Sequence, residues 1–109
     1  MPAKKTGQKP APQISSEQFP ALREFLRGYF HEDLADEYGS PEAAARQFWQ
    51  DADEEQRQDV AQEWSSLLVR TKNFSLAQVN ESLQKLGSAW TFDSLAEVQS
   101  IAQIFRKVH

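Results

Sequence analysis

Between Leu22 and Phe30 the apolar residues Leu22, Phe25, Leu26, Tyr29 and Phe30 recur three and four positions apart. That spacing stacks side chains on one face of an α-helix, which turns once every ~3.6 residues. The same period returns in Ala44, Ala45, Phe48 and Trp49, and again in Val60, Trp64, Leu67 and Leu68. It returns twice more, in Leu76, Val79, Leu83 and Leu86, and in Leu95, Val98, Ile101, Ala102, Phe105 and Val108. No segment alternates as a half-buried strand would. The chain is therefore expected to be all-α, a compact single-domain bundle of four to five helices spanning residues 15–109.

The punctuation agrees with this period. The first helix is expected to run from about Pro20 to about Asp36, with Ser16 capping a short entry turn and Leu34 on the apolar face. Gly28 inside it marks either a close helix contact or a break. Ser40-Pro41-Glu42 is an N-cap, a first-turn proline and an early acid. Asp51 or Asp53 caps the third helix, and Asp53 stands three residues before Gln56 as a capping box requires. Ser75 caps the fourth, where Phe74 can staple onto Val79, and Gly87 ends it. Ser94 with Glu97 opens the fifth, and Lys107 suits its C-terminal dipole. Trp49 and Trp64 lie on apolar stripes and read as core. Trp90 lies in a loop, where an exposed anchor and a packed cap remain equal alternatives.

Composition narrows the chemistry. The chain has no cysteine and two histidines, His31 and His109, so thiol catalysis, disulfides and multi-histidine metal sites drop out. His31-Glu32-Asp33-Leu34-Ala35 starts like a zincin helix, but Ala35 stands where the second histidine belongs. Asp51-Ala52-Asp53 starts like a calcium loop, but Gln56 and Gln62 replace its glycine and its last glutamate. The four glycines are isolated, so no phosphate-binding loop and no nucleophile elbow exist. The expectation is a protein that is not an enzyme and takes no cofactor. No apolar run is long enough to span a membrane, and Met1–Gln13 lacks the apolar region of a secretory signal. A cytoplasmic location follows as the default.

The charge is segregated. Residues 1–14 carry Lys4, Lys5 and Lys9 and no acid, and with three prolines they read as a disordered basic tail. Residues 31–63 carry eleven carboxylates against Arg46 and Arg57, a net charge of −9. Such a block repels nucleic acid and suits a basic partner; its plainer reading is a solvated helical surface.

One stretch carries a resemblance. Phe19-Pro20-Ala21-Leu22-Arg23-Glu24-Phe25-Leu26-Arg27-Gly28-Tyr29-Phe30-His31-Glu32-Asp33 resembles the start of small helical immunity proteins of bacterial contact-dependent growth inhibition systems. The acidic turn at Tyr38-Gly39-Ser40-Pro41-Glu42, then Phe48, then Glu63-Trp64-Ser65-Ser66-Leu67-Leu68, and finally Leu86-Gly87 continue the likeness. It covers residues 19 to about 87. Leu34 departs from it where the family has tryptophan, and Ser88–Phe92 departs from its tyrosine-rich segment.

The resemblance implies an antitoxin that binds the C-terminal domain of a cognate secreted toxin. Many such toxins are nucleases with basic active sites, which an acidic helical face would fit. On that reading the contact residues are expected to be Glu32, Asp33, Asp36, Glu37, Tyr38, Asp51, Asp53 and Glu54, at the exposed ends and junctions of the first three helices. No nucleic acid and no membrane is expected as a partner, and the chain itself is expected to be a monomer or weak dimer. The alternative is a helical adaptor that binds another helix in a groove.

Overall fold

The computed structural model describes residues 14–107; the basic lead-in of residues 1–13, and Val108 of the last apolar stripe, lie outside the described residues. A 3-10 turn, Ser16–Gln18, leads into α1 (Pro20–Tyr29), α2 (Leu34–Glu37) and α3 (Pro41–Asp51). After these come α4 (Glu54–Arg70), α5 (Leu76–Lys85) and α6 (Leu95–Lys107). The described residues contain no strand, and none of their helices is long and apolar enough to cross a membrane. Ile14, at the end of the expected tail, is buried in the core.

The helix count exceeds the expected four to five because the first helix breaks. α1 stops at Tyr29, and a short turn precedes α2. Among the described residues no atom outside its own helix backbone comes within 4 Å of where a Cβ on Gly28 would stand, so that glycine serves no close contact with them. Two interactions fix the break. The Phe30 carbonyl accepts the N–H of Ala89 at 2.8 Å, from the distant α5–α6 connection. The His31 ring accepts the Asp33 N–H through Nδ1 at 3.1 Å, which closes the turn locally. Leu34 stays on the apolar side and is fully buried.

The other helices start where their caps stand. Ser40 Oγ accepts from Ala43 N–H, and Asp53 with Gln56 and Ser75 with Gln78 form complete capping boxes. Ser94 Oγ accepts from the Glu97 N–H, but the Glu97 carboxylate returns to Asp93 rather than to Ser94. Gly87, at φ +119°, closes α5 with both Schellman bonds: Ser88 N–H to Leu83 C=O and Gly87 N–H to Gln84 C=O.

α6 packs on α3 and α4, and α1 packs on α4 and α3. Phe25 sits where these helices meet, with five aromatic rings centred 4.8–6.5 Å from its own. Each such side chain contributes about 1.5–3 kcal/mol on burial, so this cluster dominates the core. Trp49 and Trp64 belong to it, as their stripes predict. Trp90 is half-buried against the core, which favours the packed cap over the exposed anchor.

Asn80 ties the α5–α6 connection down. Its side chain donates to the Phe92 carbonyl at 3.0 Å and accepts the Phe92 N–H at 2.8 Å. Both groups are buried, so this amide satisfies a backbone that no helix or strand serves.

Candidate functional site

The start of α1 has no cap of its own. Phe19 occupies the N-cap position and offers no side-chain acceptor, and Pro20 follows. The acceptor comes from α4 instead: Glu63 Oε1 takes the Leu22 N–H at 2.8 Å, across 41 positions of sequence. Burial, only partly offset by the Leu22 and Ala21 amides, raises the Glu63 carboxyl above its ordinary value.

Beside this contact lies a groove between α1 and α4 of about 410 Å³. Glu24, Asp51, Asp59 and Glu63 line it, and among the described residues no basic side chain does. Phe25, Phe48 and Val60 supply apolar lining. Tyr29 stands at the groove and donates its hydroxyl to Asp51 Oδ2 at 2.8 Å, while Gln47 Nε2 donates to Asp51 Oδ1 at 2.9 Å. Burial first, then the bond to Asp51 and its negative charge, push the Tyr29 phenol up to about 12. At neutral pH it is a fixed neutral donor.

The groove continues into the α2 corner. Tyr38 stacks on Tyr29 with centroids 5.8 Å apart. Burial, then Glu37 and Asp51, raise the Tyr38 phenol as well. His31 Nε2 lies 2.8 Å from Glu37 Oε1. With His31 Nδ1 accepting the Asp33 N–H, Nε2 is the ring atom that donates to Glu37. Glu32, Asp33 and Glu37 line a shallow cleft of about 500 Å³ here, with Arg27 and His31.

A model of the CdiI immunity proteins matches residues 18–96. The chain belongs to the CdiI immunity protein family. The match runs beyond Leu86-Gly87 and takes in the Asn80 clamp, the Ser88–Phe92 connection and the start of α6. Neither a curated protein nor a solved structure matches the chain.

For a CdiI protein, the eight expected contact residues do not form one patch. Glu32, Asp33 and Glu37 share the α2 cleft, and Asp36 is exposed on α2. Tyr38 joins them by stacking, and Asp51 joins through Tyr29. Asp53 is exposed but occupied as the α4 cap. Glu54 lines a different cavity, bounded by α3, α4 and α6. The groove adds Glu24, Tyr29, Asp59 and Glu63, which the sequence reading passed over. Asp59 and Glu63 are one helical turn apart, a visible signal, but their alignment with Glu24 depends on how α1 packs on α4.

Proposed function

We propose that this immunity protein neutralises its toxin by seating the acidic α1–α4 groove and the adjoining α2 corner on a basic face of the toxin domain. A nuclease, which must hold phosphates, has such a face. The observation that carries this reading is the groove itself: among the described residues, four carboxylates and no cation around an apolar lining. Apolar lining gives a partner side chain area to bury, and the carboxylates select lysine or arginine. The neutral phenol of Tyr29 and the imidazole of His31 add donors without cancelling the field. Opposite fields raise association toward ~10⁸ M⁻¹s⁻¹ at low salt, which favours capture before a delivered toxin acts in the cytoplasm. One chain per toxin domain is the expected complex.

The test is charge reversal at Glu24 and Asp59, which are exposed. The double variant Glu24→Lys/Asp59→Lys should lower the association rate with the toxin domain encoded beside this chain by about tenfold or more, and flatten its salt dependence. Cells carrying it should lose protection. Unchanged association by a folded double variant would remove the acidic groove from the mechanism.

A further inference from the structure

A larger cavity, about 660 Å³, flanks the other side of α4, facing α3 and α6. Its size falls within the ~300–1,000 Å³ of ligand pockets. Trp49, Trp64 and Phe105 give it an aromatic lining, and Ala61 and Ala102 add little bulk. Its charge is opposite to that of the groove: Arg57 and Arg106 line it against one carboxylate, Glu54. In the groove and in the α2 cleft, acids outnumber arginines.

The two arginines differ. Arg57 is held by the fold, with Nε donating to the Trp49 carbonyl at 2.6 Å and its guanidinium 5.8 Å from the Trp49 ring centroid. Arg106 is exposed and makes no ion pair among the described residues. The Trp64 indole N–H is buried and finds no acceptor among the described residues. A buried donor left unpaired costs about 1–3 kcal/mol, a cost the fold carries because Trp64 is fully enclosed.

We propose that this cavity receives an acidic anchor of the toxin domain: a carboxylate on an apolar stem, with the stem on Trp49 and Phe105 and the oxygens at Arg106 and Arg57. The proposal rests on the immunity reading above and adds a second contact to it. α4 supplies Asp59 and Glu63 to the groove and Arg57 and Ala61 to the cavity, so a partner lying along α4 reaches both. The two contacts have different consequences. An acidic groove attracts any basic surface, whereas a cationic cavity requires an acid at one place and repels a lysine or arginine put there. That is how one toxin is told from another of similar charge.

Binding of wild type and variants to the toxin domain encoded beside this chain tests the proposal. Arg106→Glu reverses the exposed charge, Ala61→Trp fills the cavity, and Arg46→Glu makes the same charge change at an exposed arginine lining none of these cavities. Thermal melts establish that each variant folds. Arg106→Glu and Ala61→Trp should raise the dissociation rate by about tenfold or more, and Arg46→Glu should stay within about twofold of wild type. If Arg106→Glu dissociates like Arg46→Glu, the acidic anchor is overturned while the immunity reading stands. If wild type itself neither binds nor protects, both readings fall. Should Ala61→Trp not fold, Arg106→Glu, altered at an exposed position, decides alone.

Discussion

The cap that Glu63 supplies to α1 makes a sharp quantitative prediction, because charge and hydrogen bonding can be removed separately. Glu63→Ala deletes the acceptor of the Leu22 N–H, and Leu22 is fully buried. Losing an N-cap costs about 1 kcal/mol; stranding a buried amide raises that to about 1–3 kcal/mol. For a domain of this size each kcal/mol moves the melting temperature by about 4–8 °C, so Glu63→Ala should melt roughly 4–24 °C lower. Glu63→Gln keeps Oε1 as an acceptor, removes the charge and puts an amide NH2 in place of Oε2. The folded carboxyl titrates above its ordinary 4.5, and burial is the leading cause. Burial thus works against the charge at this site, and Gln should be within about 0.5 kcal/mol of wild type at neutral pH.

The pH dependence has a definite sign. A raised folded value means the native state binds more protons than the unfolded one. The stability this group contributes is present below pH 4.5 and is lost as pH rises through the folded value. Wild type should therefore gain on Glu63→Gln as pH falls toward 4.5, in urea melts run at several pH values. The gain is small, since solvent screens a half-buried carboxylate. If Glu63→Gln is as damaging as Glu63→Ala at neutral pH, the ionic charge at the helix start outweighs burial and the reasoning fails.

Substitutions at Asn80 and Gly87 probe the connections that shape the surface. Asn80→Ala strands the buried Phe92 N–H and C=O and should cost about 2–4 kcal/mol in urea unfolding; Asn80→Asp, which keeps only the acceptor, should be no better than Ala. Gly87→Ala forces φ +119° on a residue with a Cβ and sets that Cβ 2.8 Å from Arg27 Cγ. It should cost about 1–3 kcal/mol, and combining it with Arg27→Ala should cost less than the two changes summed, in thermal melts of the double-variant cycle.

The period of the apolar residues was enough for an all-α fold, for the stripes and for most caps. Ser40, Asp53, Ser75 and Gly87 act within one helical turn of themselves, so local chemistry specifies them. The break between α1 and α2 was legible only as one of two alternatives at Gly28, with nothing in the sequence to choose between them. Its decisive bond joins Phe30 to Ala89, far apart in the chain, and the apolar spacing through Leu34 suits one long helix or two short ones equally. The α1 cap was hidden in the same way, because Phe19 and Pro20 show no acceptor and Glu63 looks like one more surface acid of α4.

The candidate surface divides along the same line. The acidic block of residues 31–63 and the likeness carried by Phe19–Asp33 were both evident from residue order, because charge and motif are properties of the chain. Which carboxylates face one another was decided by helix packing. α1 against α4 brings Glu24 to Asp59 and Glu63, and α1 against α3 brings Tyr29 to Asp51, whereas Asp53 is spent on its own helix and Glu54 turns to the other flank of α4. A helix places neighbours in sequence around its whole circumference, so only the contact between two helices selects which of them share a groove.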